Sequence, residues 1–450
     1  MRRKIYNKLL EWKEKHAHEE ALLIDGARRV GKSWIAEEFG KKEYKSYIKI
    51  DFSQAPKSII EICNNYIDSP DDFFEQLQVW AKKRLYPGNS LIIFDEIQDY
   101  PRAREAIKWL VADGRYHYIE TGSLMSIRRN TKNIVIPSEE YHASMYPMDF
   151  EEFLWAIGED DLYAFIEKCR KDLKPLGNAL HRRAMDNLRR YLVIGGMPQA
   201  VLTYIKTRNF DDVDHTKRRI LQLYRDDIHK YAGAQADKVL KIWDSIPGQL
   251  QRHENRFHIG EVEPNARTRH YKTAFVWLEE ARVINVCYGA TEPNVGLKFS
   301  RDEAKYKIYM GDTGLLISHA FDEETIKRQD LYEKIILNKL EINAGMIVEN
   351  LVAQQLKTNG HNLFFYSAYS KINSADTMEV DFLVRKPVLT NRHNICPIEV
   401  KSSRNDVYTS LLKFRKKFRE NIDHCFVLSG TDVKKEDDII FLPLYMSGLF

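Results

Sequence analysis

The sequence predicts an α/β chain that opens on a parallel sheet packed between helices, and three observations carry that reading. An apolar run turns into a glycine-bounded loop and then a helix in "ALLIDGARRVGKSWIAEEF" (21–39). A second apolar run, Leu91, Ile92, Ile93 and Phe94, ends on the carboxylates of Asp95 and Glu96. Far downstream, "TMEVDFLV" (377–384) and "ICPIEVKSS" (395–403) read as neighbouring strands with charges set among apolar residues. A short, uninterrupted apolar run bounded by turn signals marks a strand buried on both faces, as parallel sheets require.

The first loop has the form G-x-x-x-x-G-K-S: Gly26, Ala27, Arg28, Arg29, Val30, Gly31, Lys32, Ser33. Glycines let backbone N–H groups turn inward around phosphate oxygens. Lys32 would reach the outer phosphates, the Ser33 hydroxyl would ligate magnesium, and Trp34 would follow at the helix start. The helix directs its positive end at the same charge. Arg28 and Arg29 would steer phosphate or simply be surface charge. The Asp-Glu strand supplies the partner motif at the carboxyl edge, where open α/β sheets bind ligands. Asp95 would hold the magnesium shell, and Glu96 would polarise the attacking water. A third strand, "YHYIETGSLMSIRR" (116–129), places Ser123 where it would sense the γ-phosphate, unless the Gly-Ser pair is only a turn. Arg128 and Arg129 are candidate arginine fingers, in cis or toward a neighbouring subunit, or a solvated basic loop. Together these predict a three-layer P-loop ATPase core over residues 1–150, with ATP and Mg2+ as its ligands.

Bulk properties narrow the rest. The 450 residues allow several domains. A net charge of +4, from 69 basic and 65 acidic residues, gives no overall signature of nucleic-acid binding, so any basic surface is local. The five cysteines form no C-x-x-C pair, which argues against a zinc ribbon or a disulfide framework and fits a reducing cytoplasm. The start, "MRRKIYNKLLEWKEKHAHEE", reads as an amphipathic helix rather than a signal peptide. No run approaches the ~20 apolar residues of a membrane span, so no membrane partner is expected.

Further strings extend the pattern: "SMYPMDFEEFLWAIG" (144–158), "YLVIGGMPQAV" (191–201), "YRDDI" (224–228), "IYMGDTGLL" (308–316), "GMIVENLVAQQL" (345–356), "EVDFLV" (379–384) and "PIEVKSS" (397–403). In this order, after this loop and this Asp-Glu strand, they resemble a family of prokaryotic AAA-like ATPases whose members carry a C-terminal domain of unknown function. The resemblance spans nearly the whole chain. It implies an ATPase core, a helical lid over 151–235, a winged helix-turn-helix over 236–320 and a restriction-endonuclease-like α/β domain over 321–450. "GGMP" resembles the Gly-x-Pro of signalling-type P-loop ATPases, by which Pro198 would touch the adenine; read without that likeness it is a turn between two helices.

The residues themselves are read as follows. "LHRRAMDNLRRYLVIGG" (180–196) is helical by spacing, and Arg182, Arg183, Arg189 and Arg190 include a candidate sensor arginine or form a solvated face. "DKVLKIWDSIPGQL" (237–250) predicts one helix, "NRFHIGEVE" (255–263) a short strand and "ARTRHYKTAFVWLEEARVI" (266–284) a second helix burying Ala274, Val276, Trp277, Leu278 and Ala281. "NVCYGAT" (285–291) would begin a wing. Arg267, Arg269, Tyr271 and Lys272 gather where a recognition helix reaches DNA, though such a module also packs on protein alone.

In the tail, Glu399 and Lys401 are two apart and so project from one strand face. With Asp381 on a neighbouring strand and Glu349 on a helix they resemble the PD-(D/E)-x-K nuclease arrangement. Asp381 and Glu399 would bind magnesium, with Glu349 completing the shell and Lys401 orienting the water. The basic helix "LLKFRKKFREN" (411–421) would track a phosphate backbone or face solvent. Two functions follow as expectations. One is an ATP-dependent enzyme whose tail cuts or grips DNA. The other is a nucleotide-dependent switch whose tail is a scaffold for a protein or DNA partner. A homo-oligomer would supply an arginine in trans.

Overall fold

The computed structural model describes residues 1–123, 137–251, 256–264, 266–322, 327–337, 344–370, 376–386, 393–402 and 408–450. It divides into two compact units, Arg2–Tyr146 and Pro147–Phe450.

In the first unit the order is α1 (Ile5–Lys15), β1 (Ala21–Gly26), α2 (Lys32–Glu43), β2 (Ser46–Asp51), α3 (Lys57–Tyr66), α4 (Pro70–Ala81), β3 (Ser90–Asp95), α5 (Pro101–Asp113), β4 (His117–Gly122) and β5 (Glu140–Met145). The five strands lie in the order β2-β3-β4-β1-β5, all parallel. Their carboxyl ends therefore share one edge, and β4 separates the loop-bearing β1 from β3. Alternate residues of these strands, such as Leu23, Ile50, Ile92 and Phe94, pack with Ile59, Phe73, Leu77 and Ile107 of α3–α5. Full burial of each such side chain contributes ~1.5–3 kcal/mol. Across the other face α2 contacts β1 through β4. Helix α1 buries Ile5, Leu9 and Trp12, a helical stripe, and packs on α2 and β5.

The second unit begins with helices: α6 (Phe150–Ala156), α7 (Asp160–Asp172), α8 (Asn178–Ile194), α9 (Pro198–Thr207), α10 (Phe210–Tyr231), α11 (Ala236–Gln251), α12 (Ile259–Val262) and α13 (Lys272–Glu280). The hairpin β6 (Ile284–Ala290) and β7 (Arg301–Met310) follows, then α14 (Thr313–Ala320), α15 (Arg328–Ile336) and α16 (Ala344–Thr358). The last elements are β8 (Phe364–Ala368), β9 (Met378–Arg385), β10 (Ile395–Val400), α17 (Thr409–Lys417), β11 (Cys425–Ser429), β12 (Lys434–Glu436) and β13 (Ile439–Pro443). Eight described strands form one mixed sheet, β12-β13-β11-β10-β9-β8-β6-β7. The hairpin thus continues the C-terminal sheet, through parallel pairing of β6 with β8.

The "GGMP" turn joins α8 to α9, with Pro198 in the first turn of α9, where its missing N–H costs nothing. Gly195 has φ +80, and a Cβ there would lie 2.3 Å from Asp312 Oδ1; one on Gly196 would lie 2.0 Å from the Met148 carbonyl oxygen. Asp312 accepts from Gly196 N (2.6 Å) and from Leu315 N (2.8 Å), capping α14. Lys217 of α10 is buried beside this elbow and donates to the carbonyls of Val193 and Gly314 and to the Tyr332 hydroxyl, tying together three helical segments.

Two expectations for the middle of the chain fail. The segment read as a short strand, 255–263, holds helix α12 instead. The Gln249 amide clamps both backbone groups of His258, and Phe257 N bridges to the Tyr306 carbonyl at 2.7 Å. The second helix is shorter than read, with a single 3-10 turn before Lys272. Its buried stripe is Tyr271, Ala274 and Leu278, which leaves Val276 on the opposite face, 42% exposed.

Candidate nucleotide site and a carboxylate cluster

At the carboxyl edge of the first sheet, the chain leaves β1 through Gly26, where a Cβ would lie 2.3 Å from the Met145 carbonyl oxygen. Arg29 and Gly31 take φ of +69 and +99, and Gly31 N-caps α2. The loop is braced from behind by buried Arg3, which donates to the carbonyls of Val30 (2.9 Å) and Tyr146 (2.7 Å). Lys32 is buried, its ammonium on the carbonyls of Gly26 (3.0 Å) and Ala27 (3.1 Å), and burial pulls its pKa down. Ser33 donates to Asp95 Oδ1 at 2.7 Å. Four sequence-predicted residues, Lys32, Ser33, Asp95 and Glu96, therefore meet at the ends of adjacent elements. Arg28, Arg29 and Trp34 are exposed on the loop and the first turn of α2, while Ala27 and Val30 are buried.

Sequence reasoning missed three side chains here. Thr121, at the end of β4, donates to Asp95 Oδ1 and accepts from Glu96 N at 3.4 Å. Lys49 of β2 pairs with Asp95 Oδ2 at 2.9 Å. Gln98 donates to Glu96 Oε2. The signal was the parallel order itself, which brings the polar ends of "YIKID" and "YIETG" to the edge where β3 ends. Glu96 holds φ +53, an uncommon conformation for a residue with a side chain, and such strain gathers at functional positions. Ser123 lies just past β4, and Thr121, within that strand, touches both Asp95 and Glu96. Arg128 and Arg129 lie outside the described residues.

Deeper in this sheet, Arg104 of α5 makes a bidentate pair with Glu140 of β5, both contacts 2.7 Å. Fully buried Glu120 of β4 stands near them, and burial, reinforced by Glu140, raises its pKa well above the usual carboxyl range.

In the second unit, Asp381 Oδ2 accepts from Val400 N at 2.8 Å, and Lys401 donates to Glu399 Oε1 at 2.7 Å. A residue unremarked in the sequence stands between the acids. Lys307 of β7, reaching in from the hairpin, has its ammonium 3.0 Å from Glu349, 2.8 Å from Glu379 and 3.9 Å from Asp381. Tyr309 also donates to Glu349. Burial disfavours the lysine's charge, but Glu349, Glu379 and Asp381 outweigh it and hold its pKa well above normal. Burial, then Glu399 and Glu349, pushes the Asp381 carboxyl well up. The oxygens are those magnesium prefers. Among the described residues no group of three His, Cys, Asp or Glu is placed to hold a metal, and the Lys307 ammonium lies among the acids.

The other sequence-predicted residues are scattered. In the 267–272 segment, Arg267, Arg269 and Lys272 are exposed, but Tyr271 is buried, with its hydroxyl on Glu263. Arg183 pairs with Glu159 at 2.6 Å, Arg189 with Asp186 at 2.8 Å, and Arg190 donates to Asn187.

Residues 18–154 match a family model described as an AAA domain. Residues 185–325 match "Domain of unknown function (DUF8612)", and residues 344–446 match "Domain of unknown function (DUF4143)". No curated protein matches the chain. Similar solved structures include C. elegans PCH-2, at 12% identity and TM-score 0.24 over 48% of this chain, which spans 65% of that protein's length. Cdc6p from Pyrobaculum aerophilum is 12% identical, with TM-score 0.24 over 76% of this chain and 92% of that one. The Hef helicase domain of Pyrococcus furiosus is 14% identical, with TM-score 0.18 over 62% and 83%. Among the described residues no helix is long and apolar enough to cross a membrane. Residues 18–154 are an AAA-type domain, and the loop and parallel sheet give it an AAA-like P-loop architecture.

Proposed function

We propose that this protein binds and hydrolyses ATP in its first unit and uses the nucleotide state as a switch, with the second unit serving as a non-cleaving scaffold for DNA or a protein partner. The observation that carries the ATPase reading is the Ser33–Asp95 hydrogen bond, which joins the glycine loop to the acidic strand end. Lys32 would leave the loop carbonyls for the outer phosphates. Backbone N–H groups from Gly26 to Ser33 would cradle the remaining oxygens. Magnesium would be held by Ser33 and Asp95, both hard oxygen donors, and would neutralise phosphate charge. Glu96, held by Gln98 and braced through its own N–H by Thr121, would orient the attacking water. Ser123 would sense the outer phosphate. Phosphoryl transfer asks for such positioning rather than covalent help. Magnesium-dependent phosphate release from ATP, abolished in Lys32→Ala, tests this reading; equal turnover in the two proteins would refute it.

The scaffold reading rests on Lys307, whose ammonium lies where a nuclease of this arrangement would need a metal. Its DNA-facing surface would be the exposed start of α13, Arg269 and Lys272 with Arg267. The other reading, DNA cleavage by Asp381, Glu399 and Lys401 with Glu349, draws support from the adjacency of β9 and β10. Magnesium- or manganese-dependent cleavage of linear, branched or single-stranded DNA, lost in Asp381→Ala, would decide for cleavage and against the scaffold.

A further inference from the structure

A cavity of about 780 Å³ in the second unit is walled by cations and aromatic rings, and contains none of Glu349, Asp381, Glu399 or Lys401. Lys168, Arg170 and Lys171 enter it from the last turns of α7, and Arg385 and Lys386 from the end of β9. Glu167 is the one acidic side chain among the lining residues. Lys386 has a counter-charge, Asp423, at 3.8 Å. Among the described residues no ion pair engages Lys168, Arg170, Lys171 or Arg385. A helix carboxyl end attracts cations through its dipole, which accounts for Arg170 and Lys171. It does not account for the two cations that face them from the sheet.

Arg170 is the most informative member. Its guanidinium lies over the rings of Phe426 and Phe450, 5.5 Å from each centroid, and its Nε is buried without a hydrogen-bond partner. Burial pulls its pKa down. A buried, unpaired donor on a cation is costly, and phosphate oxygens match its fork. The cavity is also far larger than a bare phosphate needs. Its volume lies in the range of pockets for small organic ligands, and Val384, Phe426 and Leu449 give it apolar walls. Aromatic faces beside an arginine suit a flat ring attached to the anion.

We propose that this cavity binds a phosphorylated nucleoside, with Arg170, Lys168, Lys171 and Arg385 taking the phosphate and the Phe426 wall taking the base. The site is separate from the glycine loop and does not rest on the ATPase reading. Isothermal titration of the full chain with AMP, adenosine and pyrophosphate tests it. AMP is expected to bind, and to bind at least about tenfold more tightly than adenosine or pyrophosphate. Lys32→Ala is expected to leave AMP binding unchanged, and Arg170→Met to weaken it by about tenfold or more. Because Arg170 also packs between two rings, a surface variant, Lys168→Ala/Lys171→Ala/Arg385→Ala, serves as the second test, with thermal melting to establish that it folds. The proposal fails if AMP gives no binding at about 1 mM. It fails if the signal is lost in Lys32→Ala, which would return it to the glycine loop, or survives in the folded triple variant. Pyrophosphate binding to Lys32→Ala as tightly as AMP does would overturn the nucleoside part.

Discussion

The end of β3 and the cluster around Asp381 are both places where lysines meet strand-borne carboxylates, and they distribute charge in opposite ways. In the first unit Lys49 answers Asp95, while Lys32 rests on two carbonyl oxygens with no carboxylate in ion-pair reach among the described residues. In the second, Lys307 touches or approaches three acids, and Lys401 holds a fourth. Burial outweighs the longer-range pull of Glu96, Asp95 and Asp25 on the Lys32 charge. The first site therefore carries an unmet demand for an anion beside a backbone cradle. The second already holds two ammonium groups among its four acids, and the excess of carboxylates shows in the raised Asp381. Similar residue types at strand ends thus leave a lysine beside an open cradle in one case and place it among the acids in the other, and the position of one ammonium distinguishes them.

The largest effect is expected at Glu96. Glu96→Gln keeps the shape and the Gln98 contact but removes the charge that orients water, so ATP turnover should fall by about 10²–10⁴-fold while ATP binding persists. Phosphate release and nucleotide-induced thermal shifts read the two separately. Unchanged turnover would break the functional half of the comparison.

Lys307→Met tests the other half. It leaves several buried acids without their cation, and loss of one partner of such a pair costs about 3–5 kcal/mol. Urea unfolding should show that loss. Manganese or magnesium should then raise the melting temperature of Lys307→Met and leave the wild-type chain unmoved. An equal rise in both proteins would mean that the wild-type cluster accepts a metal despite the lysine.

Glu120 sharpens the contrast from a third direction, because it is buried near an acid already claimed by Arg104 and has no lysine of its own. Its folded pKa is raised, so its favourable contribution is complete below the ordinary carboxyl range and is lost as pH rises through the folded value. Glu140 is held low by Arg104 and His142 and contributes in the opposite sense, its share being lost as pH falls. Glu120→Gln removes the first dependence alone. Urea midpoints measured from about pH 4 to 8 should fall with pH more steeply for the wild-type chain than for the variant, and a gain of about 1 kcal/mol at the upper end is expected. Parallel curves would show that Glu120 does not carry a raised pKa.

Much of the first site was legible because its chemistry is local in sequence. Six consecutive loop residues and Lys-Ser carry the cradle, and an apolar run points at Asp95 and Glu96. Thr121 and Lys49 were not, since their roles depend on which strands are neighbours; Gln98 lies two residues past Glu96, and the 3-10 turn there aims its amide at the carboxylate. Pairing across β10 and β9 brings Asp381 within reach of the backbone N–H of Val400, and period-two spacing was enough to place Glu399 and Lys401 on one face. Lys307 escaped because it arrives from a hairpin expected to belong to another module, and nothing in "AKYKIYM" says that β6 would pair with β8. Val276 escaped for a smaller reason: the helix begins later than its apolar residues suggest, and the stripe starting at Tyr271 turns it outward.

The smallest effects are expected at the start of α13, where the second unit keeps exposed charge instead of neutralising it. Among the described residues Lys272 has a long, exposed contact of 3.8 Å to Glu303, and Arg269 has a contact to the ring of its neighbour His270. Neither holds the fold, so Arg269→Ala and Lys272→Ala should each change stability by less than about 0.5 kcal/mol. If these residues face a phosphate backbone, each substitution should weaken DNA binding about equally for all sequences and lower the slope of log affinity against log salt by about 1. Tyr271→Phe supplies the contrast. Its ring is buried and its hydroxyl is on Glu263, so it should alter stability and leave the salt slope alone. A salt slope unchanged in both charge variants would remove DNA from the reading of this helix and leave α13 as a packing element, with the scaffold's partner to be sought among proteins.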